Sequence, residues 1–345
     1  MRLRVCGAVA LLSLVAASVA WADEVQDFYR GKSVTVVVPV AAGGNYDLAA
    51  RLVGKYLVRH LPGTPSVVVQ NMPGAGGISS MNFMYATAPK DGTTLAVMQR
   101  AMPQLAFVGT PNIRFDATKF TWLGTMSSYA DDAFPIFIMA DRPVKSWEDL
   151  RPPGKKVVLG AVASGSTNLT FPLIVRDVLK LNVDIIRGYS GAAAIYLAMQ
   201  RGEVDGQTAG YGSIKATQRS LFDEHKFRFL VQFGRMTRHP ELPDVPTGQE
   251  LATNDADRAL IQFFEAPFFM AMPFIAPPGI PEPRAAALRK AFDESMEDAD
   301  FRAEAKKLDM DVSPLNGDAV AKLVRDLAAA PPEVVERFKT ISESR

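Results

Sequence analysis

The chemically suggestive residues of this 345-residue chain are main-chain donors rather than reactive side chains. Ala42-Gly43-Gly44-Asn45-Tyr46-Asp47 and Pro73-Gly74-Ala75-Gly76-Gly77 each place glycine between a β-branched run and an apolar helical pattern. Ala163-Ser164-Gly165-Ser166-Thr167-Asn168 and Gly188-Tyr189-Ser190-Gly191-Ala192 repeat the arrangement in the second half. A turn of this kind brings the free N–H groups of a helix's first turn, and the helix dipole, to one point. That is anion-binding chemistry. Each dipole contributes only about 0.3–1 kcal/mol, or about 2 when partly buried, so several turns must converge to bind well. Taken singly, each turn is better explained by the tightness of βα connections. Four in phase, two per half of the chain, suit a cradle for a carboxylate or similar oxyanion, with no metal.

Side chains near these turns have double readings. Asp47, in a helix's first turn, is either a dipole-favoured acid or a group that orients a ligand hydroxyl, an ammonium or water. Arg100, at the end of a strand, is either a carboxylate fork or a surface cation. Ser164, Ser166 and Thr167 donate to a ligand or cap the following helix. Asp205 lines a site or closes the 201–206 turn. Tyr189 and Tyr211 line a cleft or fill the core. The aromatic stretch 263–274 reads as core. Catalytic patterns are missing: His60, His225 and His239 are widely separated, and there is no HExxH, G-x-S-x-G or P-loop. Gly74-Ala75-Gly76-Gly77 lacks the spacing of a dinucleotide fingerprint. The expectation is no cofactor, no metal and no catalysis.

The elements that must position the turns follow from periodicity. Val34–Val38 is a β-branched run suited to a strand buried on both faces, and Pro39 ends its ladder. Leu48, Leu52, Val53, Tyr56 and Leu57 recur at helical spacing from Asp47 to near His60. Ser66–Gln70, Thr94–Met98, Phe134–Met139, Lys156–Ala161, Val183–Ile186 and Phe227–Phe233 read as further strands, with a short one opening at Val204-Asp205. Residues 101–125 read as irregular. A helix is expected from Leu169 to about Leu181, with Pro172 in its first turn. Amphipathic helices are expected at 283–298, 300–308, 317–328 and 332–341. The pattern is α/β, and ligands of open α/β sheets collect at the carboxyl ends of strands.

Residues 1–22 combine Arg2 and Arg4, an apolar stretch Ala8–Ala20 and an Ala20-Trp21-Ala22 cleavage site, which reads as a removable export signal. Its loss takes away Cys6, the single cysteine, and leaves 36 basic against 37 acidic residues. There is then no basic excess to attract nucleic acid or anionic lipid. About 320 remaining residues exceed one comfortable core, so two lobes are expected. The expected division is 23–126 plus about 232–282 for lobe 1 and 127–231 for lobe 2. Residues 283–345 form helices packed on both, and hinges fall near 126–131 and 231–236.

Six blocks, PVAAGGNYDLAARLVGKYL, VVVQNMPGAGGISSMNFMYATAPKDGTTL, PVKSWEDL, ASGSTN, YSGAAAIYLAMQRGEVD and LPDVPT, make the chain resemble the tripartite tricarboxylate transporter substrate-binding proteins, the Bug family. The similarity runs from about Phe28 to the C-terminal helices. It implies a two-lobed, type II-like periplasmic binding protein fold with two crossings and a ligand cleft between the lobes. By position it assigns Gly43, Gly44, Asn45 and Asp47 to the first ligand loop and Gly74, Ala75, Gly76 and Gly77 to the second. Ser164, Ser166 and Thr167 match the second-lobe serine turn, Gly191 and Ala192 the G-A-x-P turn, and Asp205 the acid of the G-x-V-D block, which the resemblance implies are ligand-binding positions. The chain departs from the pattern at Val40, Gly188 and Ala194, and in GQTAGYGS after Asp205.

The combined reading is a monomeric periplasmic receptor that captures a small organic carboxylate and presents it to the integral-membrane permease subunits of a tripartite tricarboxylate transporter. Arg100 and Tyr211 complete its expected site. The alternatives are a carboxylate sensor feeding a signalling partner, and a periplasmic enzyme using Asp47 and Asp205.

Overall fold

A computed structural model describes residues 24–162 and 166–343. The export-signal reading at 1–22 and Ser164 lie outside the described residues. Among the described residues, eleven strands follow in chain order: β1 (Ser33–Val38), β2 (Ser66–Asn71), β3 (Thr94–Val97), β4 (Thr121–Thr125), β5 (Phe134–Met139), β6 (Val157–Gly160), β7 (Val183–Ile186), β8 (Gly206–Thr208), β9 (Phe227–Phe233), β10 (Pro273–Ala276) and β11 (Leu315–Asn316). They form two sheets, and the chain divides into two compact units. The first holds the described residues up to Ser128 and Met270–Ala328; the second holds Tyr129–Phe269 and the described residues from Ala329 onward.

The first unit's sheet has the order β11-β4-β10-β3-β1-β2. β1 runs parallel to β2, with Val36 opposite Val69, and parallel to β3, with Val36 opposite Leu95. β10 runs antiparallel between β3 and β4. The helix Asn45–His60 begins two residues before the expected Asp47 and buries Ala49, Ala50, Leu52, Val53, Tyr56 and Leu57. It lies close on the sheet: a Cβ on Gly54 would meet Val67 at 3.0 Å. The helix Glu282–Glu297 completes this core with Leu288 and Phe292. Residues 101–125 are not wholly irregular. They contain the helix Met102–Phe107, with Pro103 in its tolerant first turn, and β4, whose Gly124 has φ +153°. Six helical residues are too few to show periodicity, and glycine inside a strand hides it.

The second unit's sheet has the order β7-β6-β8-β5-β9, with β6 parallel to β7 and β8 and β5 antiparallel to β8 and β9. The helix Ala192–Arg201 covers one face through Ile195, Tyr196 and Met199, which pack with Phe137 and Phe227. The helix expected over 169–181 is an α-helix at Thr167–Leu173 followed by a π-turn at Ile174–Val178. Pro172 sits inside that helix rather than in its first turn; lacking an N–H, it cannot continue the regular ladder.

Residues 232–269, which the sequence reading gave to lobe 1, fall in the second unit. β9 pairs with β5 through Phe233, and the buried Gln232 amide donates to the Leu242 carbonyl at 3.1 Å. The Gly234 N–H donates to Glu265 at 2.8 Å, which ties the helix Asp255–Glu265 to the end of β9. The chain therefore changes units at 128/129, 269/270 and 328/329, not near 231–236. The C-terminal helix Pro332–Glu343 belongs to the second unit, with Phe338 4.6 Å from Phe264 and Arg337 2.7 Å from Asp257.

Candidate functional site

In the first unit, the glycine turns after β1 and β2 and the Gln99-Arg100 segment after β3 all leave the same end of three parallel strands. They touch one another. A Cβ on Gly77 would lie 3.1 Å from Pro39 and 3.3 Å from the Gln99 amide nitrogen. Gly77 has φ +95°, and Ala75 and Gly76 are also left-handed, so the second turn coils tightly before the helix Ile78–Ala86. Its closure is internal: the Gly77 N–H donates to the Gly74 carbonyl at 2.9 Å. Tyr46 joins the turns to the rest of the unit. Its hydroxyl accepts from the Arg100 N–H at 3.2 Å and donates to the Ala271 carbonyl at 3.3 Å. Sequence reasoning passed over Tyr46, because an aromatic one turn from a glycine pair carries no distinctive signal.

Gly43, Gly44 and Asn45 are exposed, and no atom lies within 4 Å of a Cβ built on Gly43 or Gly44. The ladder of the first helix starts with Leu48 N–H to the Gly44 carbonyl, so the N–H groups of Asn45 and Tyr46 precede it. Ala75 and Gly76 are exposed in the second turn, and Gly74 is half-buried. Arg100 is half-buried beside them. This unit thus brings together Gly43, Gly44, Asn45, Gly74, Ala75, Gly76, Gly77 and Arg100.

Asp47 is present at this end but turned inward. It is buried, and its carboxylate accepts from Arg51 Nε at 3.0 Å, Arg51 Nη2 at 3.0 Å, Asn71 Nδ2 at 2.8 Å and the Gly43 N–H at 2.9 Å. The Arg51 guanidinium, working against burial and helped by Gly43 and Asn71, holds its carboxyl at about 2. Every lone-pair direction is engaged within the loop, so Asp47 fixes the Gly43 backbone rather than facing a ligand. Of the two readings the sequence offered for Asp47, these bonds support the acid that serves its own helix and loop. Arg51 was legible: Asp47 and Arg51 stand at the i, i+4 spacing of a helical ion pair. Asn71, whose amide also donates to the Val40 carbonyl at 3.0 Å, links the two turns from the end of β2.

In the second unit, Ser166 and Thr167 follow β6, and Gly191 and Ala192 follow β7, again at the carboxyl ends of parallel strands. Ser166 is the N-cap residue of Thr167–Leu173, and its carbonyl accepts from the Thr170 N–H at 2.9 Å. Asp205 does not join them. It precedes β8, its carboxylate accepts from the Val158 N–H at 2.7 Å near the start of β6, and it lies 2.9 Å from Arg142 Nε. The parallel register puts it at the opposite end of the sheet, where it ties the start of β8 to β6 and Arg142. Tyr211 is buried, with Phe229 at 5.6 Å and His239 at 5.0 Å. Burial, together with the nearby Glu241, pushes its hydroxyl up to about 12. Of the two readings the sequence offered, this packing is that of a core residue.

Two α/β sheets with glycine turns gathered at the carboxyl ends of their parallel strands belong to the periplasmic binding protein fold. A solute-binding protein from Polaromonas, solved without ligand, superposes with a TM-score of 0.68 at 19% identity, covering 90% of this chain and 99% of that one. The Rhodopseudomonas palustris protein MatC, solved with bound malate, gives a TM-score of 0.50 at 24% identity, covering 90% and 99%. A Cupriavidus necator protein described as "UPF0065 protein in gbd 5'region" is 25% identical over 346 residues, covering 98% of this chain and 96% of its own. The family described as "Tripartite tricarboxylate transporter family receptor" matches residues 50–339, and the chain belongs to it. The first glycine turn lies ahead of that matched span. Among the described residues no cluster of three or more His, Cys, Asp or Glu is arranged to hold a metal ion, and no helix is long and apolar enough to cross a membrane.

Proposed function

We propose that this receptor is exported to the periplasm, where it captures a small organic carboxylate without transforming it and delivers it to the membrane subunits of a tripartite tricarboxylate transporter. The observation that carries the reading is the open main chain at Gly43, Gly44 and Gly76, where nothing lies within 4 Å of a Cβ position, beside the N–H groups of Asn45 and Tyr46 that precede the helix ladder. Glycine there lets an oxyanion approach the backbone closely. The malate-bound structure of the same fold supports a carboxylate as the ligand. Ser166, Thr167, Gly191 and Ala192 are the second unit's proposed contributors.

Isothermal titration of the purified receptor against mono-, di- and tricarboxylates and aromatic acids tests this. Saturable one-to-one binding of at least one acid, without product formation, is the expected result. Flat titrations across the panel, or turnover of a bound acid, overturn it.

A further inference from the structure

Gln99 follows the last residue of β3 by two positions. The register of β1 with β3 pairs Val37 with Ala96, which sets Gln99 level with Val40, where the first glycine turn leaves its strand. Gln99 also meets the second turn. Its amide nitrogen lies 3.3 Å, and its Cδ 3.6 Å, from where a Cβ on Gly77 would stand, and Pro39 lies 3.1 Å from the same point. Gly77 has φ +95° and no side chain, which leaves the amide room against the main chain. Gln99 is half-buried, so it is held between the two turns and keeps accessible surface. Neighbouring polar side chains are committed to the loop framework. The Tyr46 hydroxyl accepts from the Arg100 N–H, the Asn71 amide donates to Asp47 at 2.8 Å, and the Ser80 hydroxyl donates to the Gly77 carbonyl at 2.9 Å. Among the described residues the Gln99 side chain makes no hydrogen bond, although its main-chain carbonyl accepts from the Met102 N–H at 2.9 Å.

Resting on the receptor reading above, we propose that Gln99 is a specificity-determining residue whose amide carbonyl accepts a hydrogen bond from a hydroxyl of the ligand, so that the receptor takes a hydroxy acid in preference to its deoxy counterpart. The glycine turns on either side offer main-chain N–H groups, which only donate. A carboxylate only accepts, so those groups serve it alone. A ligand hydroxyl also brings an O–H, which needs an acceptor, and the Gln99 side chain sets one beside the turns. A deoxy acid leaves that acceptor without the ligand's bond, a difference of about 3- to 10-fold in affinity for one neutral hydrogen bond.

The test titrates matched pairs, L- and D-malate against succinate, citrate against tricarballylate and lactate against propionate, into the wild-type receptor and into Gln99→Met and Gln99→Glu. The wild type is expected to bind the hydroxy member of its best pair about 3- to 10-fold more tightly, and Gln99→Met to bind both members alike. Gln99→Glu keeps an acceptor but adds a negative charge, so it should weaken both members and retain the preference for the hydroxy acid. The melting temperature without ligand should stay within about 1 °C in Gln99→Met, because no hydrogen bond within the chain is lost. Equal affinities for both members in the wild type, or a preference that survives in Gln99→Met, overturn the assignment of Gln99 and leave the receptor reading standing. A preference lost in Gln99→Glu as well overturns the acceptor role. A falling melting temperature in Gln99→Met with equal losses for both members assigns Gln99 to the scaffold and also overturns it. A wild type that binds none of the acids overturns the receptor reading, and this proposal with it.

Discussion

Replacing Asp47 by asparagine isolates the charge that organises the first glycine turn. The side chain keeps its shape, but the bidentate pair with Arg51 is lost, and an NH2 group faces donors from Gly43, Arg51 or Asn71. Lowering of the carboxyl from an ordinary 3.8 to about 2 sets an upper bound of about 2.5 kcal/mol on its contribution. Arg51 is half exposed, so solvent screening reduces this to about 1–2 kcal/mol. For about 320 residues, at about 2.1 cal/mol/K each, that corresponds to a melting temperature lower by about 1.5–3 °C at neutral pH. The folded-state carboxyl lies below its unfolded value, so the contribution is whole above about pH 5 and disappears as pH falls through about 2. Calorimetric melting of wild type and Asp47→Asn from pH 7 to pH 2.5 should therefore give curves that converge on acidification. Ligand affinity should fall as well, because Gly43 and Gly44 lose the bond that fixes them. A gap that stays constant with pH, or no gap at neutral pH, would refute the view of Asp47 as the loop's electrostatic clamp.

Four further outcomes follow from the same geometry. Gly44→Ala should melt within about 1 °C of wild type, since Gly44 has φ −87° and open space at its Cβ, yet weaken ligand binding; Gly77→Ala should cost about 1–3 kcal/mol from its left-handed φ and its approach to Pro39. If Gly44→Ala binds every acid as tightly as wild type, the open backbone is not where the ligand approaches. Asp205→Asn should destabilise by about 1–3 kcal/mol, because it loses the charge paired with Arg142 and turns an NH2 toward one of two donors, Arg142 Nε or the Val158 N–H, with ligand affinity unchanged; a selective loss of affinity would return Asp205 to the site. Burial pushes the Glu265 carboxyl up to about 7, against the hydrogen bonds from Gln249 and Gly234. Its folded-state value lies above its unfolded one, so the protonated form favours folding, and stability falls by at most about 3 kcal/mol as pH rises from about 4.5 through 7. Glu265→Gln should flatten that slope in denaturant titrations at pH 5 and pH 8, and equal slopes would show that another group sets it.

Glu265 also shows why the boundary between units was misplaced from sequence. Residues 234–254 have few apolar positions and several prolines, which reads as a linker. The buried Gln232 side chain holds the middle of that stretch to β9 at Leu242, the buried Glu265 accepts from Gly234 and Gln249, and no hydrophobic period announces these bonds.

The sequence alone determined the repeated strand, glycine turn and helix, because β-branched runs, glycine and the helical period act over a few neighbouring residues. It therefore also located Gly43, Gly44, Gly74 and Gly76 and the strand ends they follow. Tertiary structure decided what each polar side chain does there. Asp47 became a clamp because Asn71, 24 residues away, and the Gly43 N–H close on it. Asp205 went to the far end of its sheet because β8 pairs parallel to β6, and Tyr211 went into the core because Phe222, Phe229 and His239 surround it. Backbone conformation is set by local sterics and can be read from short segments. The partner of a charge or a hydroxyl is set by which distant strand lies beside it, and that is fixed only when the sheet assembles.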